Sequence, residues 1–396
     1  MMFPFENSSK EFRLIKAISG LEPENAGFIN AISNALDMTQ EECKKEPGLL
    51  KLYKNIKQHS EIPSLNLQLK KLERFFLSNE ILNIEQLKSL SKVICNYDMT
   101  QNKHGDFVSY KGDCLKSIAN KYSLAKHGSY IEIQFFAEQL SNLFIRELMK
   151  ESGHWKKLFL KAKENKEYIV LFVPGSRNID STSNLTFELA LKNINIYLSR
   201  NSYPTIANVK IPRIDPPCEN YASLSLVERE EVSKIQDHIL PSENFYNGRK
   251  INVIFGDDVL ITGATADKVY LDCMNKGAIS FQSIYSVLIN PLVANTDPAV
   301  ESKLNNSVIS GKLDDSALYA FSHSKFLPVM KSFGILLKAE NTNDLKSFLL
   351  KIPEDSVKKL FVYAMSNGYL NENKYRSAMK ILDEYVVEKG WFSFAV

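Results

Sequence analysis

Residues 168–173 read Tyr-Ile-Val-Leu-Phe-Val, with no charged or amide side chain to interrupt them, and stop at Pro174-Gly175. An apolar run of that length, ended by residues that break regular structure, has to be covered on both faces, and a strand covered on both faces belongs to a parallel sheet with helices on each side. The chain repeats the pattern. A helical stretch at about 185–199 leads to a strand near 206–211, then 250–255 (Lys-Ile-Asn-Val-Ile-Phe) forms a second buried strand, 264–276 is helical, and 281–288 closes the series. Strand and helix alternating at this spacing predict an α/β domain, doubly wound around a mostly parallel sheet.

All-α regions flank that domain on both sides. From Ser9 to about Ser91 the apolar residues recur at helical spacing (Leu65, Leu69, Leu72, Phe76; then Ile84, Leu87, Leu90), punctuated by Pro23, Pro47 and Pro63, which predicts three to five helices. Between 93 and 129, Gly105, Gly112 and Gly128 separate short β-compatible pieces such as Phe107-Val108-Ser109-Tyr110, and a helix follows at about 131–151. After Asp297 the pattern is helical, with segments at about 317–337, 343–351, 354–366 and 372–388 and with Asp315, Asn343 and Asn371 at or just before their starts. The division expected is therefore 1–92 helical, 93–296 α/β and 297–396 helical. The helical flanks are expected to pack, or to join a second copy of the chain or another protein.

Lys plus Arg number 49 against 46 Asp plus Glu, a net charge of +3. So even a balance argues against nucleic acid as a partner and requires any anion site to be local. Cys43, Cys95, Cys114, Cys218 and Cys273 are odd in number and lie far apart, which fits neither a disulfide framework nor a zinc site and suits a reducing compartment. Without an apolar window near membrane-spanning length or a cleavable leader pattern, the expectation is a cytoplasmic protein with no membrane association; export through a non-cleaved signal would leave no mark of this kind.

The segment that carries chemistry is 253–265, Val-Ile-Phe-Gly-Asp-Asp-Val-Leu-Ile-Thr-Gly-Ala-Thr. Thr262-Gly263-Ala264-Thr265 opens a helix directly after a strand. A helix N-terminus offers unpaired N–H groups and partial positive charge, Gly263 permits close backbone approach, and two threonine hydroxyls add donors, so the turn is a cup for a phosphate monoester. Asp257 and Asp258, one loop-length earlier, are placed to accept hydrogen bonds from vicinal hydroxyls. Together they describe a ribose 5-phosphate. Gly-Asp-Asp also occurs in the metal-binding turn of template-dependent polymerases, but that turn sits in a hairpin and this strand leads into a helix.

Apolar residues, two acids and Thr-Gly-x-Thr in this order resemble the signature of the type I phosphoribosyltransferases, which bind 5-phosphoribosyl-1-pyrophosphate (PRPP). The resemblance implies that Asp257 and Asp258 meet the ribose hydroxyls and serve as protein contacts for Mg²⁺. It implies that Thr262, Gly263, Ala264 and Thr265 hold the 5-phosphate. Two positions depart from the pattern: Gly256 stands where an apolar residue is usual, and Ile261 stands where the 6-oxopurine salvage enzymes carry a proton-removing aspartate. Gly175, Ser176 and Arg177 follow the first core strand, in the place of the family's pyrophosphate loop, with Arg177 suited to a bidentate grip on pyrophosphate oxygens. Residues 219–229 fall where a mobile loop is expected. Their Leu-Ser-Leu-Val-Glu-Arg portion, like Tyr110-Lys111-Gly112-Asp113, is similar to the ComF-like branch and puts Arg229 near phosphate oxygens on closure. The implied activity is transfer of the phosphoribosyl group to an unidentified nitrogenous acceptor with release of pyrophosphate. Two other readings are a PRPP- or nucleotide-sensing module that has lost transfer, and a relic core whose helical flanks dock a protein or nucleic acid.

Overall fold

The computed structural model describes residues 5–21, 26–39, 43, 48–57, 59, 62, 65, 68–69, 71–73, 75, 92–109, 111–175, 178–212, 239–261, 264–290, 293, 297 and 299–392. Six strands join in one sheet: β1 (Val93–Gln101), β2 (Phe107–Ser109), β3 (Tyr168–Pro174), β4 (Ile206–Ile211), β5 (Ile251–Leu260) and β6 (Ser280–Ile289). Their order across the sheet is β2-β1-β6-β5-β3-β4, parallel throughout except where β2 returns against β1 as a hairpin. The expected doubly wound α/β architecture is what forms.

The apolar runs decide the layers. Ile169, Leu171 and Val173 of β3 and Ile254 of β5 face a core shared with α5 (Tyr130–Met149), α6 (His154–Glu164) and α7 (Thr182–Arg200). Val170, Phe172, Val253 and Phe255 face the opposite core, built with α9 (Ala264–Asn275) and the short α8 (Glu243–Tyr246). Alternate residues of one strand thus fill two hydrophobic layers, as a strand buried on both sides must.

The helices before the sheet, α1 (Lys10–Ile18), α2 (Ala26–Leu36) and α3 (Gly48–Lys57), enclose a separate core from Leu14 to Phe75, against which Tyr270 of α9 packs. Between β2 and α5 lies α4 (Lys116–Lys126). The C-terminal helices are α10 (Val300–Asn305), α11 (Asp315–Phe321), α12 (Met330–Leu336), α13 (Thr342–Leu349), α14 (Glu354–Ser366) and α15 (Arg376–Glu388). Their core takes in Ile179 and Leu124 from the α/β layers, and Val329 pairs with Asp180 in a parallel bridge. No helix among the described residues is long and apolar enough to cross a membrane.

Two local expectations change. The helix expected over 317–337 is two helices, because Pro328 disfavours helical backbone at the residue before it and His323 turns the chain, its carbonyl accepting from the N–H of Phe326 at 2.8 Å. The N-cap of α11 is Asp314 rather than Asp315; its carboxylate accepts from the N–H groups of Ser316 and Ala317. Asn343 lies inside α13, and Asn371 closes a single turn of 3₁₀ helix, five residues before α15 begins.

Candidate active site

β5 outlasts its apolar run. β6 continues beside it to Ile289 and supplies ladder partners as far as Leu260, so Asp257 and Asp258 lie within the strand rather than after it. Pairing with β6 skips one rank, at Asp258 opposite Ser286, and the same rank is skipped between Asn96 of β1 and Ser286. Three adjacent strands therefore lose regular pairing at one level, and polar side chains stand there. This is the C-terminal edge of the parallel strands, where open α/β sheets bind ligands.

Both acids are held. Ser183, in the first turn of α7, donates its hydroxyl to Asp257 Oδ1 at 2.6 Å and accepts from the N–H of Asp258 at 3.2 Å. Asp257 Oδ1 also accepts from that N–H at 2.9 Å. Asp258 is 5% exposed, and its Oδ2 receives the Lys126 ammonium at 2.5 Å. Lys126 Nζ lies 5.7 Å from the ring centroid of buried Tyr122, one helical turn earlier on α4.

Burial first, and neighbouring charges after it, set the protonation balance. Burial, and then the neighbouring Asp258 charge, lift the Asp257 carboxyl to about 7, while the Ser183 hydrogen bond and Lys126 oppose the rise. Burial alone would depress the Lys126 ammonium; Asp258 beside it more than reverses that and holds its pKa above the ordinary value. Burial followed by the charges of Asp258, Glu301 and Asp257 pushes the Tyr122 hydroxyl well up, so it stays protonated. Lys331 of α12 is driven down, by burial and then by Lys126. Carboxylates from β5 and α10 and ammonium groups from α4 and α12 thus act on one another here, although the chain separates them widely.

Thr265 sits half-buried in the first turn of α9, and Ala264 begins that helix three residues after Ile261, the last described residue of the acid-bearing segment. Thr262, Gly263, Ser176, Arg177 and Arg229, and with Arg229 the whole stretch 219–229, lie outside the described residues. At Gly175, in the place of the pyrophosphate loop, the N–H donates to the Ile211 carbonyl at 2.8 Å, because β4 runs alongside. A Cβ at Gly175 would lie 2.7 Å from Cε of Lys210, so glycine lets the lysine cross to its ion pair with Asp180 at 2.7 Å.

The departures at Gly256 and Ile261 have packing causes. A Cβ on Gly256 would lie 2.8 Å from Cζ of Phe187, whose ring occupies that space. Ile261 is 6% exposed in a cluster with Leu185 and Val287, facing the core. Ser183 and Lys126 escaped sequence reasoning because they lie 74 and 132 residues from their acids. The polar run Asp180-Ser181-Thr182-Ser183 was the available signal for the first. Ser181 caps α7 by accepting from the N–H of Asn184 at 3.0 Å, which starts the helix three residues before the apolar spacing does.

As a metal site the donor set is thin. Among the described residues no three His, Cys, Asp or Glu side chains are gathered to hold an ion, and Asp258, expected at Mg²⁺, is paired with Lys126.

A family model described as PRTase ComF-like matches residues 118–382, about two thirds of the 396-residue chain. The match begins within α4, eight residues before Lys126, and continues through most of the C-terminal helices. No curated protein and no solved structure gives a match.

Proposed function

The chain belongs to the ComF-like phosphoribosyltransferase family, and from that premise we propose that it binds PRPP with Mg²⁺ and transfers the 5-phosphoribosyl group to a nitrogenous acceptor, releasing pyrophosphate. The observation that carries this is the pairing of two held carboxylates at the end of β5 with the start of α9 directly beyond them. In this reading Asp257 and Asp258 accept hydrogen bonds from the ribose hydroxyls, and the first turn of α9 receives the 5-phosphate. Mg²⁺ on the diphosphate supplies neutralisation of the leaving group. As the bond to pyrophosphate lengthens, positive charge builds on the ribose ring, and the fixed carboxylates favour that charge more than the neutral ground state. Ser183 keeps Asp257 oriented, so little reorganisation accompanies the step.

Residues of α4, α10 and α12 that surround the acids (Tyr122, Lys126, Glu301 and Lys331) belong to segments outside the signature, and in this reading they border the acceptor side. A PRPP or nucleotide sensor is favoured by one observation, the burial of Ile261 at the position where 6-oxopurine enzymes remove a proton. Calorimetry with PRPP and Mg²⁺ on wild type and on Asp257→Asn/Asp258→Asn tests the binding: affinity should fall by about a hundredfold or more, since two charge-assisted hydrogen-bond acceptors are lost. Unchanged affinity refutes it. Pyrophosphate release above background with a panel of nitrogenous bases separates transferase from sensor.

A further inference from the structure

Lys126 is the last residue of α4, and its position is fixed from several directions. The carbonyl of Ala125 accepts from the Thr182 hydroxyl at 3.4 Å, and that of His127 accepts from the Ser332 hydroxyl at 2.9 Å. The His127 ring contacts the Ser123 carbonyl through Nδ1 at 2.7 Å, and the N–H of Leu327 donates to the Gly128 carbonyl at 3.2 Å. The ammonium delivered by this anchored helix end has a side chain 17% exposed, and the Asp258 side chain it meets is 6% exposed. This is no loose surface pair. Two adjacent carboxylates with little water around them need a cation, and the described residues offer no metal cage to supply one.

An ammonium differs from a divalent ion in what it leaves over. It donates one hydrogen bond to Asp258 and leaves the remaining lone pairs of both carboxylates for hydroxyl donors, whereas a metal on the same oxygens would compete with a sugar for them. We infer that Lys126 is the built-in counter-ion of the sugar-binding acid pair, so that ribose 5-phosphate is recognised without a divalent metal and a metal serves only a ligand's diphosphate. The inference rests on the phosphoribosyl-binding reading for its ligand, and on geometry alone for the counter-ion. Lys126 is a positioning residue in this account, since it acts on the sugar through Asp258.

The test uses the full chain as wild type, Lys126→Met and Lys126→Arg, with two probes. Ribose 5-phosphate is titrated calorimetrically in EDTA and in Mg²⁺, and Mn²⁺ alone is titrated by the paramagnetic resonance of the free ion. Wild type should bind ribose 5-phosphate equally with and without metal and should retain no Mn²⁺. Lys126→Met should lose roughly tenfold or more in EDTA, recover in Mg²⁺ and begin to retain Mn²⁺, while Lys126→Arg behaves as wild type. A wild-type affinity that needs Mg²⁺ overturns the inference even if Lys126→Met does not fold, and so does a folded Lys126→Met that binds as wild type does in EDTA. Should wild type bind no ribose 5-phosphate at all, the phosphoribosyl reading fails, and Mn²⁺ decides on Lys126. Retention by Lys126→Met or by Lys126→Arg alone then separates loss of the counter-ion from mere change of shape: Met only supports it, both or neither overturns it.

Discussion

Gly256→Ala adds one methyl group at the residue before the acid pair, and its cost can be worked from the packing. The new Cβ would lie 2.8, 2.9 and 3.0 Å from three ring carbons of Phe187, whereas ordinary contact begins near 3.4 Å, so ring or strand must retreat by about half an ångström. Phe187 is 1% exposed in a core cluster with Ala190, Ile254 and Ile284, so its retreat has to displace buried neighbours. Overpacking of this kind costs about 2 kcal/mol. Phe187 also lies one helical turn after Ser183, the α7 residue that holds Asp257. Urea denaturation of wild type, Gly256→Ala, Phe187→Leu and the double variant measures the coupling. The double variant should be more stable than the two single losses added together by about 1 kcal/mol or more, because the smaller leucine leaves room for the methyl. Single losses that add to within ~0.5 kcal/mol would refute the claim that the ring is the reason for glycine.

Asp257→Asn should alter the pH dependence of stability. The carboxyl's folded pKa is lifted to about 7 by burial and by Asp258, so its share of stability is complete below the unfolded value and is lost as pH rises through about 7. The urea midpoint of wild type should therefore fall relative to that of the variant between pH 4 and pH 8, and parallel profiles would contradict the assignment. Gly128→Ala, at φ +91° with its Cβ 2.3 Å from the Leu327 carbonyl oxygen, should melt well below Gly311→Ala, which has a similar φ of +82° but open space around it; equal losses would show that contact with the C-terminal region adds nothing beyond backbone strain. Asp314→Ala removes the cap of α11 and should cost about 1 kcal/mol by chemical denaturation, with Asp314→Asn close to wild type.

The strands were legible because burial on both faces writes itself as uninterrupted apolar sequence: 168–173 marks β3 almost to the residue, and 250–255 marks the start of β5. The start of α9 was legible from its threonine and glycine. Where β5 ends was not, because its last residues are held in the ladder by β6, a partner contributed from later in the chain. Helix starts set by polar caps were read late or shifted, as at Ser181 and Asp314, since periodicity registers apolar faces and not the hydroxyl or carboxylate that begins them. Pro328 carried the break between α11 and α12 in plain view, and apolar spacing on either side of it concealed the break. Lys126 had no local signature at all: a lysine at the end of an amphipathic helix is ordinary until the fold brings Asp258 to it.

That contrast bears on how such a site is built. The acids and the proposed phosphate cup come from thirteen consecutive residues, 253–265, and a short segment of that kind can be carried intact from one chain to another. A buried carboxylate beside a half-buried one is unfavourable without compensation, however, and the compensation comes from elsewhere: a hydroxyl at the start of α7 and an ammonium at the end of α4. The end of α4 is in turn fixed by Leu327 and Ser332 of the C-terminal region, and Asp180 beside α7 is bridged to Val329 of the same stretch. The C-terminal helices therefore hold in place the groups that make the acid pair tolerable. A family match that continues to residue 382 fits this dependence, because the signature and its electrostatic support must be kept together for either to be of use.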